Sequence, residues 1–255
     1  MNVMMKTFCQ LSLRFLLCLW SVLALPMSAQ EYFEIPRLPK KIENKIYHRE
    51  GYIVGYNKDL RVPNFVAWRL TSDHTTGPQK RLQNFMEDTE VPIPRATPQD
   101  YKGSSWSRGH LCPAGDNKWS YKAMHDTFLL TNICPQHSAL NTGMWNQIEM
   151  LCRNWANKYG EVYIVCGPIF FQGEKRTIGP NKVAVPDAFF KVVLCLDVRP
   201  KAIGFVCRNT ALGGKKHDYV HSVSEVERIT GYDFFPMLEQ SIQKEVESMS
   251  DLKVW

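Results

Sequence analysis

Apolar and polar positions change period several times along the chain, and each change marks an element. Residues 47–57, 65–70, 162–166, 189–196 and 202–207 are short runs rich in β-branched and aromatic side chains, the composition that suits a pleated, half-buried strand. Residues 197–201, with Pro200 among them, predict a hairpin turn between the last two runs. Between residues 139 and 159 the apolar positions Leu140, Met144, Ile148, Leu151, Trp155 and Tyr159 recur at helical spacing, which predicts one helix with that stripe against the core. Residues 223–230 predict a second helix, with Ser222 as N-cap and Gly231 as its stop, and residues 236–249 a third. The polar stretch running through Pro98 reads as a surface connection. Strands and helices so arranged give an α+β chain with a central, largely antiparallel sheet flanked by helices.

The first thirty residues follow a different rule. Lys6 and Arg14 precede and enter an apolar run over residues 15–25, and Pro26-Met27-Ser28-Ala29 ends on a small residue. That is the layout of a secretory signal, and the run is short for a bilayer span. The expectation is a signal peptide over residues 1–29 cleaved after Ala29, a single domain over residues 30–255, no stable membrane anchor, and a periplasmic or secreted product. The chain carries 255 residues, 44% of them hydrophobic, enough to bury a full core in one domain. Its formal charge is +6, of which Lys6 and Arg14 leave with the leader so that +4 remains. So mild an excess suits a polyanionic partner without identifying one.

Export also changes the reading of the cysteines. Six remain in the mature chain, Cys112, Cys134, Cys152, Cys166, Cys195 and Cys207, and an even number in an oxidising compartment permits disulfides. Cys195 and Cys207 lie symmetrically about the turn at Arg199-Pro200-Lys201, which makes them one expected pair. No CxxC spacing occurs, so a zinc site is not expected. His217 and His221 stand four apart but follow Gly213-Gly214, so a loop is expected there and not a metal-binding helix face. For Trp106, Trp119 and Trp145, core packing is the expectation over base stacking. A phosphate-cradling glycine loop and a GxSxG elbow are both missing, which argues against P-loop proteins and serine hydrolases.

The chemistry concentrates between Trp106 and Asp116, in WSRGHLCPAGD. Arg108-Gly109-His110 sets an imidazole able to accept a proton from water beside a guanidinium able to neutralise a phosphate under attack. On its own the triplet is weak evidence. It is followed by Thr131-Asn132-Ile133-Cys134-Pro135-Gln136, then Leu140-Asn141-Thr142-Gly143-Met144-Trp145, then Glu149. In order and spacing these blocks resemble the DNA/RNA non-specific endonucleases, and Val185-Pro186-Asp187-Ala188-Phe189-Phe190-Lys191 and Glu227-Arg228-Ile229-Thr230-Gly231 extend the resemblance over nearly all of the chain after the leader. Ser107 departs from the pattern, which more often has aspartate there.

The resemblance implies the ββα-metal nuclease fold: a strand delivering His110, a second strand near residues 128–133, and a helix presenting Asn141. It implies a sugar-non-specific endonuclease acting on DNA and RNA and leaving 5′-phosphate ends, with His110 as general base, Arg108 and Arg95 facing phosphate, and Asn141 holding Mg2+ (Mn2+ as a substitute). Glu149 would orient waters around the ion, and Asn132 would steady the loop or a nearby ligand. In an ideal helix Asn141 and Glu149 stand about 12 Å apart along the axis and roughly 80° apart around it, too far to share an ion directly. Arg153, one turn on from Glu149, is expected as its i,i+4 partner or as a groove residue. The motif blocks that the family fold brings together make Cys112–Cys134 the first expected disulfide. Dimers are common in the family, so a homodimer is a further implication. The alternative is an inactive relative that binds nucleic acid without cutting it; only Ser107 favours that reading.

Overall fold

The structure, a computed structural model, describes residues 32–255; the expected leader and its cleavage site lie outside the described residues. In chain order the strands are β1 (Lys45–His48), β2 (Ile53–Asn57), β3 (Val62–Thr71), β4 (Ser107–His110), β5 (Ile133–Gln136), β6 (Glu161–Ile169), β7 (Thr177–Ile178), β8 (Val183–Ala184), β9 (Ala188–Cys195), β10 (Lys201–Arg208) and β11 (Val220–His221). The helices are α1 (Pro98–Tyr101), α2 (Tyr121–Asp126), α3 (Ser138–Leu140), α4 (Asn146–Tyr159), α5 (Val223–Thr230) and α6 (Gln240–Glu247). Seven strands form the main sheet in the order β1-β2-β3-β6-β9-β10-β11, with every neighbouring pair antiparallel. This is the α+β architecture that the pattern predicts.

Alternation along the central strands fixes what each face holds. From β3 and β9, Val66, Trp68, Leu70, Phe189 and Val193 enter one core cluster together with Trp145, Ile148 and Trp155 of the long helical segment. Phe65, Ala67, Phe190, Val192 and Leu194 enter a second cluster with Val223, Val226 and Val246 of α5 and α6. All eight residues of β9 are buried, as expected of a strand covered on both faces. The first face carries α4 and the β4–β5 hairpin, and therefore the site; α5 and α6 serve the other.

Several elements differ from the sequence reading for local reasons. Residues 47–57 form not one strand but the β1–β2 hairpin, closed where the Arg49 amide donates to the Tyr52 carbonyl at 2.8 Å around Gly51. The expected strand near residues 128–133 begins only at Ile133, because Leu130–Asn132 forms a 3-10 turn. Residues 139–159 are interrupted: Asn141–Trp145 is a π-turn, and Gly143, at φ −99° and ψ −109°, is not helical. The third helix is shorter than 236–249, because Phe235 takes a positive φ and α6 starts only after the Glu239 side chain accepts from the Ser241 amide. At α5 the Ser222 cap and left-handed Gly231 stand as read from the sequence.

All six described cysteines are buried free thiols, and neither expected disulfide forms. Cys195 lies opposite Lys201 and Cys207 opposite Phe189, a stagger of six residues or about 20 Å. That separation exceeds the roughly 7 Å between Cα atoms that a disulfide tolerates. Cys134 lies opposite Gly109, whereas Cys112 follows the end of β4 in a bend. Among the described residues no helix is long and apolar enough to cross a membrane.

Candidate active site

The β4–β5 hairpin sets the imidazole. Ser107 pairs with Gln136 and His110 with Ile133, so strand alternation puts Arg108 and His110 on one face. Both meet Phe85: the Arg108 guanidinium lies 4.6 Å from its ring centre and the His110 ring 5.2 Å. Phe128 closes the other side of His110 at 5.0 Å. Gly109 carries the opposite face, where a Cβ would come within 2.2 Å of the Gln136 Oε1, so only glycine fits that register. Beyond the strand, the Asn132 side chain accepts from the Cys112 amide and donates to the Cys112 and Thr127 carbonyls, each at 2.9 Å. Three of its hydrogen bonds thus tie the second motif block to Cys112 of the first and to Thr127 between them.

The helical side completes the pocket. Asn141, Thr142, Asn146 and Glu149 line a recess of about 300 Å³ with His110, Pro113 and Arg81. The straight-helix geometry that keeps Asn141 and Glu149 apart does not hold, because the π-turn at residues 141–145 widens the helix and turns its N-terminal end; such turns recur at functional sites. The Trp145 indole, at the end of the turn, donates to the His110 carbonyl at 3.3 Å and so ties helix to hairpin.

Charge around this pocket is asymmetric. Burial pushes the His110 imidazolium down to about 3, with the Arg81 charge acting in the same direction; the ring is therefore neutral, and its Nε2 has no hydrogen-bond partner. Burial raises the Glu149 carboxyl to about 7, Lys191 opposes that rise and Asp116 adds to it. Arg153 does not pair with Glu149 as its spacing implies. It donates to buried Asp116 at 2.8 Å, whose other oxygen accepts from the Trp68 indole at 3.1 Å. Behind Glu149, Lys191 of β9 is fully buried, with its ammonium 4.9 Å from the Trp68 ring and 4.7 Å from the Trp145 ring.

Of the residues singled out in the sequence, the structure brings His110, Asn141 and Glu149 to one pocket, and places Arg108 in the adjoining recess with Asn141. Arg95 is not among the lining residues of either; its guanidinium is held by Glu87 and the Val91 carbonyl. The arginine at the pocket is Arg81, from the stretch read as mere connection. That stretch is pinned to the site where the Met86 amide donates to the Phe128 carbonyl at 2.9 Å and the Leu130 amide to the Met86 carbonyl at 2.8 Å. No periodic or motif signal marks Arg81. Lys191 had a signal: strand alternation sets this one charge in line with Phe189 and Val193 on the inward face. Trp145 is core, as expected, whereas Trp106 is only partly buried, and Trp119 stacks on His74 at 4.5 Å. His217 and His221 engage Asp218 and Glu225.

The donor set suits a hard cation. The pocket offers the amide and hydroxyl oxygens of Asn141, Asn146 and Thr142 with one carboxylate from Glu149, and magnesium takes oxygen ligands while keeping most of its water. Thiols and imidazole pairs that would favour zinc are not grouped among the described residues.

Comparisons with known proteins bear on the family of the chain. The mitochondrial nuclease EXOG of Xenopus laevis is 37% identical over 207 residues, covering 74% of this chain and 58% of that protein; the chain thus spans under two thirds of that relative's length. A nuclease of Nostoc sp. is 32% identical over 222 residues, covering 82% of this chain and 80% of its own. A solved endonuclease G in complex with EndoGI superposes with a TM-score of 0.72 at 25% identity, over 76% of this chain and 87% of that one. The sequence model of the DNA/RNA non-specific endonucleases matches residues 30–241, and the chain belongs to that family.

Proposed function

We propose that this chain is a metal-dependent endonuclease that hydrolyses phosphodiester bonds of DNA and RNA with little sequence preference and leaves 5′-phosphate ends. Residues 30–255 form its catalytic domain and residues 1–29 direct its export. One observation carries the reading: a buried, neutral imidazole with an unpartnered Nε2 shares its pocket with Asn141, Glu149 and Arg81. Such a nitrogen is unprotonated and free to accept a hydrogen bond from an attacking water, the geometry that a general base requires. Arg81, with Arg108 beside it, binds the phosphate and neutralises charge as the fifth oxygen approaches. Asn141 is the residue that would hold a magnesium ion, with manganese as a substitute, and Glu149 would orient the waters around it. When bound, the ion supplies charge neutralisation at the phosphate and at the departing 3′ oxygen. Trp145, at the His110 carbonyl, and Asn132, at Cys112 two residues further on, hold the backbone that carries the imidazole.

The test is cleavage of plasmid DNA and of RNA by the purified protein, with and without magnesium, beside His110→Ala. The parent is expected to cut both polymers only with the metal. The variant should lose about 10²- to 10⁴-fold in turnover while keeping its circular dichroism and its affinity for nucleic acid in chelator. Near-normal turnover by His110→Ala would overturn the assignment of the base.

A further inference from the structure

A second recess, of about 710 Å³, adjoins the catalytic pocket and shares Arg81 and Asn141 with it. Three cations line it, Arg81, Lys102 and Arg108, and none of its described lining residues is acidic. Three aromatic residues line it as well, Phe85, Tyr101 and Trp106, of which Tyr101 is buried. The Phe85 face is covered by Arg108 at 4.6 Å. Trp106 is backed by the Arg176 guanidinium at 5.3 Å and makes an edge-to-face contact with His137, whose ring centre lies 6.4 Å away, and it remains partly exposed. Cations alone attract single and double strands alike. An aromatic plane among them adds something only for a strand whose bases are free to leave the stack, since base–aromatic stacking needs an open face of the base.

We infer that this recess is a stacking subsite for an unpaired nucleobase beside the scissile phosphate, with Trp106 as its platform and Lys102 and Arg108 holding the flanking phosphates. This rests on the proposed function and adds a substrate class to it: single-stranded segments, whether free or in frayed duplex. The volume falls in the range of pockets that enclose molecules of nucleotide size, about 300–1,000 Å³. The cation–π pair of Arg176 and Trp106 is formed before any ligand arrives, so a base entering the recess adds to an existing contact.

The experiment measures binding in chelator, where no cutting occurs, for a single-stranded oligonucleotide, its duplex, and the same single strand with abasic nucleotides. The parent is expected to bind the single strand more tightly than the duplex and to lose about tenfold when bases are removed. Trp106→Ala should weaken the intact single strand about tenfold, the duplex less than twofold, and should be indifferent to abasic substitution; Trp106→Phe should recover most of the loss. Equal weakening of both substrates by Trp106→Ala, or an abasic penalty as large in the variant as in the parent, overturns the subsite. If Trp106→Ala does not fold, the parent decides alone, because indifference of the parent to missing bases also overturns it. A parent that cuts but ignores base removal refutes only the subsite, whereas one that binds with the abasic penalty and never cuts refutes the catalytic reading.

Discussion

Glu247 ends α6 and is 7% exposed, and its Oε1 has no hydrogen-bond partner. A carboxylate there lies at the negative end of the helix dipole. Burial, and after it the nearby charge of Glu227, raises the group from its ordinary 4.5 to about 7. The folded protein therefore binds a proton that the unfolded chain has already released between those two values, and stability falls as pH rises through that window. Below about 4.5 the residue is protonated in both states and costs nothing; above about 7 the full penalty applies. At roughly 1.4 kcal/mol per tenfold change in proton affinity, the penalty is on the order of 3 kcal/mol. Glu247→Gln keeps the shape and removes the charge. Allowing for an amide with imperfect partners, a gain of about 2 kcal/mol is expected at pH 8.5, or some 4–8 °C in Tm for a domain of this size. Thermal melts of both proteins at pH 8.5 and pH 4.5 measure it. The gain should vanish at the lower pH, and an equal shift at both would refute the electrostatic argument.

Two further perturbations test the site. Asn141→Ala should weaken the magnesium response of cleavage severely, whereas Glu149→Gln should retain metal binding and lose chiefly rate, about 10- to 100-fold; a magnesium titration of both separates them, and an unchanged metal response in Asn141→Ala would remove it from the ligand set. Gly109→Ala places a Cβ 2.6 Å from the Gln136 Cβ, a clash that side-chain rotation cannot relieve, so the hairpin must splay; a loss of about 1–3 kcal/mol by chemical denaturation is expected, with a fall in activity larger than that of a mutation on the outer strands, and a variant as stable and active as the parent would contradict the register given for β4 and β5.

What the sequence made legible was what local periodicity and chain order encode. β3, β6, β9, β10 and α5 appear nearly where composition and caps put them, because each is buried on faces that its own residues declare. The turn inside residues 47–57 was hidden because Gly51 sits in a run that remains strand-like on both sides. The π-turn was hidden for a related reason: the stripe from Leu140 to Tyr159 fits an uninterrupted helix equally well, while the turn carries the non-helical Gly143 and a tertiary tie from Trp145 to the His110 carbonyl. That turn matters, since it brings Asn141 and Glu149 to a single pocket. Arg81 and Phe85 were out of reach altogether. Their place over the hairpin depends on two backbone hydrogen bonds of Met86 to residues more than forty positions away, which no local pattern carries.

Ser107 is the position that most invites doubt about activity, and the geometry of β4 addresses it. Along a strand the side chains of residues 107 and 109 share one face and those of 108 and 110 the other. His110 is held by Phe85 and Phe128, by the ladder to Ile133 and by the Trp145 indole at its carbonyl, and none of these contacts passes through residue 107. Ser107 instead lines the outer recess with Lys102 and Arg108. A carboxylate at that position would cancel part of the positive charge met there by an incoming strand, while a serine leaves it whole. The serine thus bears on the charge of the outer recess, and the His110 imidazole in the inner pocket is positioned without it.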